Sequence, residues 1–314
     1  MMRRSIRVGS RESPLALWQT EWVLGNLKTV YPHISFEIVP VKTKGDELAA
    51  LPLPAIGDKG LFTRELESAL LAREIDFAVH SLKDVPGELL PGLTLRTTGE
   101  RADHRDALVS RLGLSLAELP RGARVGTSSL RRAAQLLHLR PDLDIVPLRG
   151  NLATRLNKLD SENLDGIVLA AAGLSRLGRT ERVTEYLSVS VCLPAAGQGT
   201  LAAECRADDA ETLSLLAAVR HVPTELAAAA ERTLLARMGG GCRAPLAALA
   251  VWERGELFLS ALAASADGRR LARAAAGAAV AAPPAAEELG ERVAAELAAR
   301  GGAAILAGEK RERI

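Results

Sequence analysis

Short apolar runs alternate with longer amphipathic stretches along this chain, and most runs end in a polar or glycine-rich turn. That rhythm predicts strands alternating with helices, the pattern of an α/β fold with parallel strands. Residues 6–10 read as a first strand. Ser13-Pro14 reads as an N-cap with proline at the first helical position, so a helix is predicted over 14–30. Leu15, Trp18, Trp22, Val23 and Leu27 supply its apolar stripe, and Tyr31-Pro32 stops it. Strands are predicted over 35–41, 76–80 and 93–97. A helix is predicted over 62–73, and 47–60, rich in Leu, Pro and Gly, reads as a mobile surface loop.

A second series begins at 106–109. Strands are predicted over 124–126, 144–148 and 166–171, with helices over 115–119, 130–140 and 152–159 and a short helix carrying Ser175-Arg176. Residues 198–205 read as a strand able to return to the first sheet. Beyond Pro223 the pattern changes. A helix over 224–238 and a glycine-rich loop over 239–245 precede strands over 246–251, 257–263 and 269–276. A last helix is predicted over 284–300. This region reads as a small α+β domain.

At 314 residues the chain is long enough for two or three domains. Aromatic residues make up only 3%, so its cores must be built from Ala, Leu and Val. The formal net charge of +2 is close to balance, so no global charge calls for nucleic acid or a membrane surface. The apolar stretches are too short or too broken to span a bilayer. Basic residues near the start have no apolar run behind them and do not read as a signal peptide. Three cysteines, Cys192, Cys205 and Cys242, show neither metal spacing nor a disulfide framework, so no metal site is expected and a reducing, cytoplasmic setting is.

Arg11, Lys59, Lys83, Arg131, Arg132, Arg149, Arg155 and Arg176 all fall at predicted strand ends or in first helical turns. Taken singly, each is as well read as a solvated charge. Together they oppose the helix dipole where acids are preferred, most sharply at Arg131 and Arg132 after Thr127-Ser128-Ser129. An anionic ligand with several carboxylates or phosphates would offset that cost. Asp84 ends the run Phe77-Ala78-Val79-His80-Ser81-Leu82-Lys83-Asp84. It is either a turn residue before Val85-Pro86 or a carboxylate that holds positive charge or moves a proton. His80 is either a core histidine or a catalytic one. Asp46 reads as structural or as a lid anchor. Cys242 follows three glycines, which let backbone approach a ligand closely, and Arg243 favours its thiolate. A semi-buried structural thiol is the plainer reading of Cys242, and Cys192 and Cys205 read as packing residues.

The motifs Gly9-Ser10-Arg11-Glu12-Ser13-Pro14-Leu15-Ala16, Gly57-Asp58-Lys59-Gly60, Ala78-Val79-His80-Ser81-Leu82-Lys83-Asp84-Val85-Pro86, Gly126-Thr127-Ser128-Ser129-Leu130-Arg131-Arg132, Leu148-Arg149-Gly150-Asn151, Leu193-Pro194-Ala195-Ala196-Gly197-Gln198-Gly199 and Gly240-Gly241-Cys242 occur in this order. In that set the chain resembles the porphobilinogen deaminase, or hydroxymethylbilane synthase, family. The resemblance implies two doubly wound lobes like those of type II periplasmic binding proteins, plus a small α+β domain. Its expected boundaries are 1–100 with 197–219, 101–196, and 220–314. It implies a transferase of porphyrin and heme biosynthesis that condenses four porphobilinogen molecules with loss of ammonia. It implies one dipyrromethane cofactor held by a thioether to Cys242, with Asp84 as the catalytic acid.

Carried over in the same way, Lys83, Asp84, Ser128, Ser129, Arg131, Arg132, Arg149 and Arg155 are expected at the cofactor. Arg11, Ser13, Arg149, Arg155 and Arg176 are expected at the substrate, and Lys59 in a lid. Ala55 departs from a common pattern in which a second lysine stands there. A monomer is expected, with uroporphyrinogen-III synthase as the next enzyme to receive the product. A two-lobed binder of an anionic small molecule, without catalysis, is the rival reading.

Overall fold

The computed structural model describes residues 5–43, 63–239 and 244–311, without the side chains of 309–311. In chain order the first elements are β1 (Ser5–Ser10), α1 (Pro14–Val30), β2 (Ser35–Pro40), α2 (Arg64–Leu71), β3 (Phe77–Ser81) and β4 (Leu93–Thr98). Next come β5 (Asp106–Ser110), β6 (Arg124–Gly126), α3 (Leu130–Leu139), β7 (Asp144–Val146), α4 (Leu152–Ser161), β8 (Gly166–Ala170), α5 (Ala171–Arg176) and β9 (Glu185–Leu187). Then follow β10 (Leu201–Arg206), α6 (Ala210–Ala217), α7 (Val222–Arg237), β11 (Leu246–Glu253), β12 (Glu256–Ala264), β13 (Leu271–Ala278), α8 (Pro283–Ala299) and α9 (Gly302–Arg311).

Two compact units result: Met1–Ala102 with Thr200–Glu225, and Asp103–Gly199 with Leu226–Ile314. The first holds a sheet of order β2-β1-β3-β10-β4. β1 runs parallel to β2 and β3, and β10 runs antiparallel to β3 and β4. Side chains alternate between the two faces, as a strand requires. Ile6, Val8, Phe77, Val79 and Ala203 meet Val23, Leu24 and Leu27 of α1. Ala78 turns the other way and packs with Leu66, Ala69 and Leu70 of α2. A sheet covered by helices on both faces is doubly wound. The Ser13 side chain starts α1 by accepting a bond from the Ala16 backbone N–H at 3.3 Å.

The second unit repeats the plan with order β7-β6-β8-β5-β9, in which β5 is antiparallel to both neighbours. Ala107, Val109, Ile167 and Leu169 face α4 and α5, while Leu108 and Val168 face Leu136 of α3. The same unit contains the antiparallel sheet β11-β12-β13. One face of that sheet is buried under α7, α8 and α9. Ala247, Leu249, Leu262 and Ala264 on its other face pack with Ala134 and Leu193 of the lobe. Two doubly wound α/β lobes and a small C-terminal α+β domain are therefore present.

The strand expected over 198–205 does return to the first sheet, but it begins at Leu201. Gly197 and Gly199 take φ of 75° and 88°, which ends the preceding turn and delays the strand. Residues 115–119 form a turn in place of the expected helix, closed by Ser115 Oγ donating to Glu118. The short edge strand β9 and the helices α6 and α9 are additions to the expected set.

Candidate active site

In an open α/β sheet a ligand crevice lies outside the carboxyl ends of the strands, where the strand order reverses. Those points fall between β1 and β3 in one sheet and between β6 and β8 in the other. Arg11 and Ser13 follow β1, and Lys83 and Asp84 follow β3. Ser128 and Ser129 follow β6, Arg149 and Arg155 follow β7, and Arg176 ends α5 just after β8. Every one of these residues is partly exposed.

In the first unit, β3 passes into a single 3-10 turn, Leu82–Asp84. Leu82 and Val85 are buried, at 2% and 1% exposure, so Lys83 and Asp84 sit between two apolar anchors. The turn is closed by Val85 N–H donating to Leu82 O at 3.1 Å, and Leu82 N–H is held by Thr200 O at 3.0 Å. Arg11, Ser13, Gln19, Thr63, His80, Ser81 and Asp84 line one cavity of about 50 Å³. Gln19 of α1 donates to Ser81 Oγ at 2.8 Å and so ties the helix to the end of β3. Below the cavity, His80 Nε2 lies 3.1 Å from Glu204 Oε2. Thr63 Oγ1 donates to Glu67 at 3.0 Å.

In the second unit, Ser128 Oγ exchanges two 3.0 Å bonds with the Leu148 backbone and so joins the ends of β6 and β7. Gly150, at φ 111°, reverses the chain after β7. Asn151 then caps α4 by accepting from Thr154 N–H at 2.9 Å. Arg155 Nε donates to Gly150 O at 2.8 Å, which seats its guanidinium over this turn. Arg176 donates to Gly199 O at 2.7 Å, and burial pushes its guanidinium down to about 10. Ser129 is the N-cap residue of α3, without a side-chain cap bond.

Arg131 and Arg132 differ from the other cations. They are buried at 4% and 6% exposure and converge on Asp106, which is fully buried. Arg131 Nη1 lies 2.6 Å and Arg132 Nη2 2.7 Å from the Asp106 oxygens. Gln198 and Cys192 also donate to it, at 2.9 Å and 3.3 Å. Burial alone would raise the Asp106 carboxyl, but the two guanidinium groups outweigh it and hold it far below the usual carboxylate range. The unfavourable placement of these arginines in the first turn of α3 is thus offset by the protein's own carboxylate. An external anion is not needed to explain it.

Lys59, Ala55, Asp46, Cys242 and Arg243 lie outside the described residues. The other two cysteines are enclosed at 0% exposure. Burial pushes the Cys192 thiol up to about 12 and the Cys205 thiol to about 11, which leaves both poor nucleophiles. Among the described residues no cluster of three metal-ligating side chains occurs, and no helix is long and apolar enough to cross a membrane. Residue-by-residue reading missed Asp106, Gln198, Glu67 and Glu204. Glu204 did leave a signal: a lone carboxylate inside the apolar run Leu201-Ala202-Ala203-Glu204-Cys205.

Comparison with known proteins gives two family matches. The model of the porphobilinogen deaminase dipyromethane cofactor binding domain matches residues 6–214, and that of the porphobilinogen deaminase C-terminal domain matches 225–299. A porphobilinogen deaminase of Syntrophotalea carbinolica is 52% identical over 307 residues, covering 98% of this chain and 96% of the relative. One from Desulforamulus reducens is 51% identical over 305 residues, with 97% and 98% covered. One from Shouchella clausii is 51% identical over 305 residues, with 96% of each chain covered.

Proposed function

The chain belongs to the porphobilinogen deaminase family, and from that premise we propose how its own residues carry the reaction. The reaction joins four porphobilinogen molecules head to tail, releases ammonia and yields the linear tetrapyrrole hydroxymethylbilane. The rival non-catalytic binder is set aside, because relatives of this identity over this length are enzymes.

The strand-end residues suit a dipyrromethane cofactor. Its pyrrole rings carry acetate and propionate groups, and the sites offer partly exposed guanidinium groups and hydroxyls. Burial already penalises the charge on Arg176, so a carboxylate placed beside it would be stabilised. When bound, the cofactor supplies the terminal α-carbon onto which the first substrate is built. Cys242 is the residue proposed to hold it through a thioether. The enclosure and raised thiols of Cys192 and Cys205 support that choice.

Arg11, Ser13, Arg149, Arg155 and Arg176 would hold carboxylates of substrate and growing chain. Lys83, Ser128 and Ser129 would hold the cofactor, and Lys59 would serve the lid. Arg131 and Arg132 would reach the cofactor only with donors left over from Asp106. Asp84 would donate a proton to the leaving amine and then face the positive charge left on the substrate methylene. The observation that carries this reading is the shared cavity, which places Asp84 with Arg11 and Ser13. A cytoplasmic monomer that hands its product to uroporphyrinogen-III synthase completes the proposal, and the unbridged Cys192 and Cys205 suit a reducing compartment.

The test is Asp84→Ala. Ammonia release from porphobilinogen should fall by about 10²–10⁴-fold while the circular dichroism spectrum is retained. Undiminished ammonia release would remove Asp84 from this role. Intact mass of the purified protein should show two pyrrole units attached, and Cys242→Ser should lack them.

A further inference from the structure

The cavity that contains Asp84 has a second titratable wall. His80, Glu204 and Glu67 lie on the sheet face covered by α2 and are 5%, 0% and 4% exposed. In the pairing of β3 with β10, His80 stands opposite Ala202 and Glu204 opposite Ala78. The two side chains therefore project from the same face one diagonal step apart. The result is the 3.1 Å approach of Nε2 to Oε2.

Nε2 is wholly enclosed and faces the carboxylate at 3.1 Å without the alignment of a hydrogen bond, yet the His80 side chain keeps 4% exposure and the residue lines the cavity. The ring thus turns its Nε2 edge inward to the carboxylate and another part toward the cavity. Glu67 reaches in from α2. Burial pushes its carboxyl up, and the neighbouring Glu204 adds to that shift. The other charged groups at this wall are Arg64, beside Glu67, and Arg11 and Asp84 in the cavity.

A carboxylate behind one imidazole nitrogen fixes the tautomer and leaves the other nitrogen as a base. The reaction has a use for such a base. In each round a pyrrole α-carbon bonds to the incoming methylene, its C–H bond breaks, and that electron pair returns to the ring. We propose that His80, with the Glu204 carboxylate beside its Nε2, accepts this α-proton at Nδ1 and returns it to Asp84. The return restores the acid that Asp84 spends on each leaving amine, so protons balance from round to round. The proposal rests on the role given to Asp84 above.

Two measurements on the holoenzyme test it. The first is ¹⁵N NMR of the histidine rings, with the His80 signal identified by its loss in His80→Gln. At about pH 7.5 the ring should be neutral, protonated at Nε2 and bare at Nδ1. An imidazolium, or a proton on Nδ1, would overturn the proposal. The second uses porphobilinogen deuterated at its free α-carbon. His80→Gln should slow product formation by about 10²–10⁴-fold and develop a primary deuterium isotope effect that exceeds the native one. Glu204→Gln, which keeps the side-chain shape, should show the same isotope effect if His80→Gln folds poorly. Slow variants with no added isotope effect would make the pair merely structural. Failure of the Asp84 reading is seen separately, as normal ammonia release by Asp84→Ala with ordinary substrate.

Discussion

Replacing Asp106 by alanine should uncouple the second lobe while sparing the first. The carboxylate accepts from Arg131 Nη1, from Arg132 Nε and Nη2, from Gln198 and from Cys192. Its loss strands two guanidinium groups at 4% and 6% exposure. Breaking a buried ion pair by removing one partner costs about 3–5 kcal/mol. Leu193 O and Val168 O still accept from Arg131 and Arg132, at 2.8 Å and 2.9 Å, which keeps the cost inside that range despite two stranded cations. Since ~1.4 kcal/mol is tenfold, amide exchange in β5 and β8 should accelerate by roughly two to four orders of magnitude. Hydrogen-exchange mass spectrometry reads this directly, with peptides from β1 and β3 as the internal control. Exchange in β5 and β8 within about threefold of native, under ~1 kcal/mol, would refute the view that Asp106 holds these arginines. The pH dependence has a definite sign. The folded carboxyl lies below its unfolded value, so its contribution is full above about pH 4 and fades only as pH falls toward the folded value.

Three further outcomes are expected. Cys192 and Cys205 should resist alkylation at about pH 8 in the native protein and react after unfolding, because burial raises both thiols; rapid native labelling of either would contradict that. Gly268→Ala should destabilise the β12–β13 turn by more than ~1 kcal/mol, since φ is 72° and a Cβ would come within 2.5 Å of Ala134 O; unchanged thermal stability would refute it. Arg176→Gln should leave thermal stability equal or higher yet stall chain elongation, seen by mass spectrometry as partly extended enzyme; full product formation would remove Arg176 from carboxylate binding.

Much of the fold was legible because local rules and tertiary needs agree. Ser13-Pro14 starts α1 at the residue expected, and apolar runs such as Phe77 to His80 become strands buried on both faces. The strand-end placement of the cations was legible for the same reason. The helix expected over 115–119 was not formed: Leu116 and Leu119 are buried, but Pro120 and the Ser115–Glu118 bond favour a turn. The pairings that matter most around the site could not be read locally. Asp106 meets Arg131 across 25 positions, and only because β5 runs antiparallel beside the end of β8. Glu204 meets His80 through the register of two strands far apart in the chain. Such contacts depend on topology, which periodicity does not encode.

The position of β10 has a consequence for how the chain is made. β4 is an edge strand whose sole partner among the described strands is β10, and β10 is also the link from β4 to β3. At the ribosome β4 emerges without its partner and waits while roughly 100 further residues are synthesised, about 5–20 s at ordinary elongation rates. The whole α/β lobe of the second unit is translated during that wait. The first lobe should therefore close only after the α/β lobe of the second unit has been made, as a slow phase set by long-range pairing. Until then the bare β4 edge is the segment most exposed to mispairing with other chains, and the one for which a chaperone would matter most.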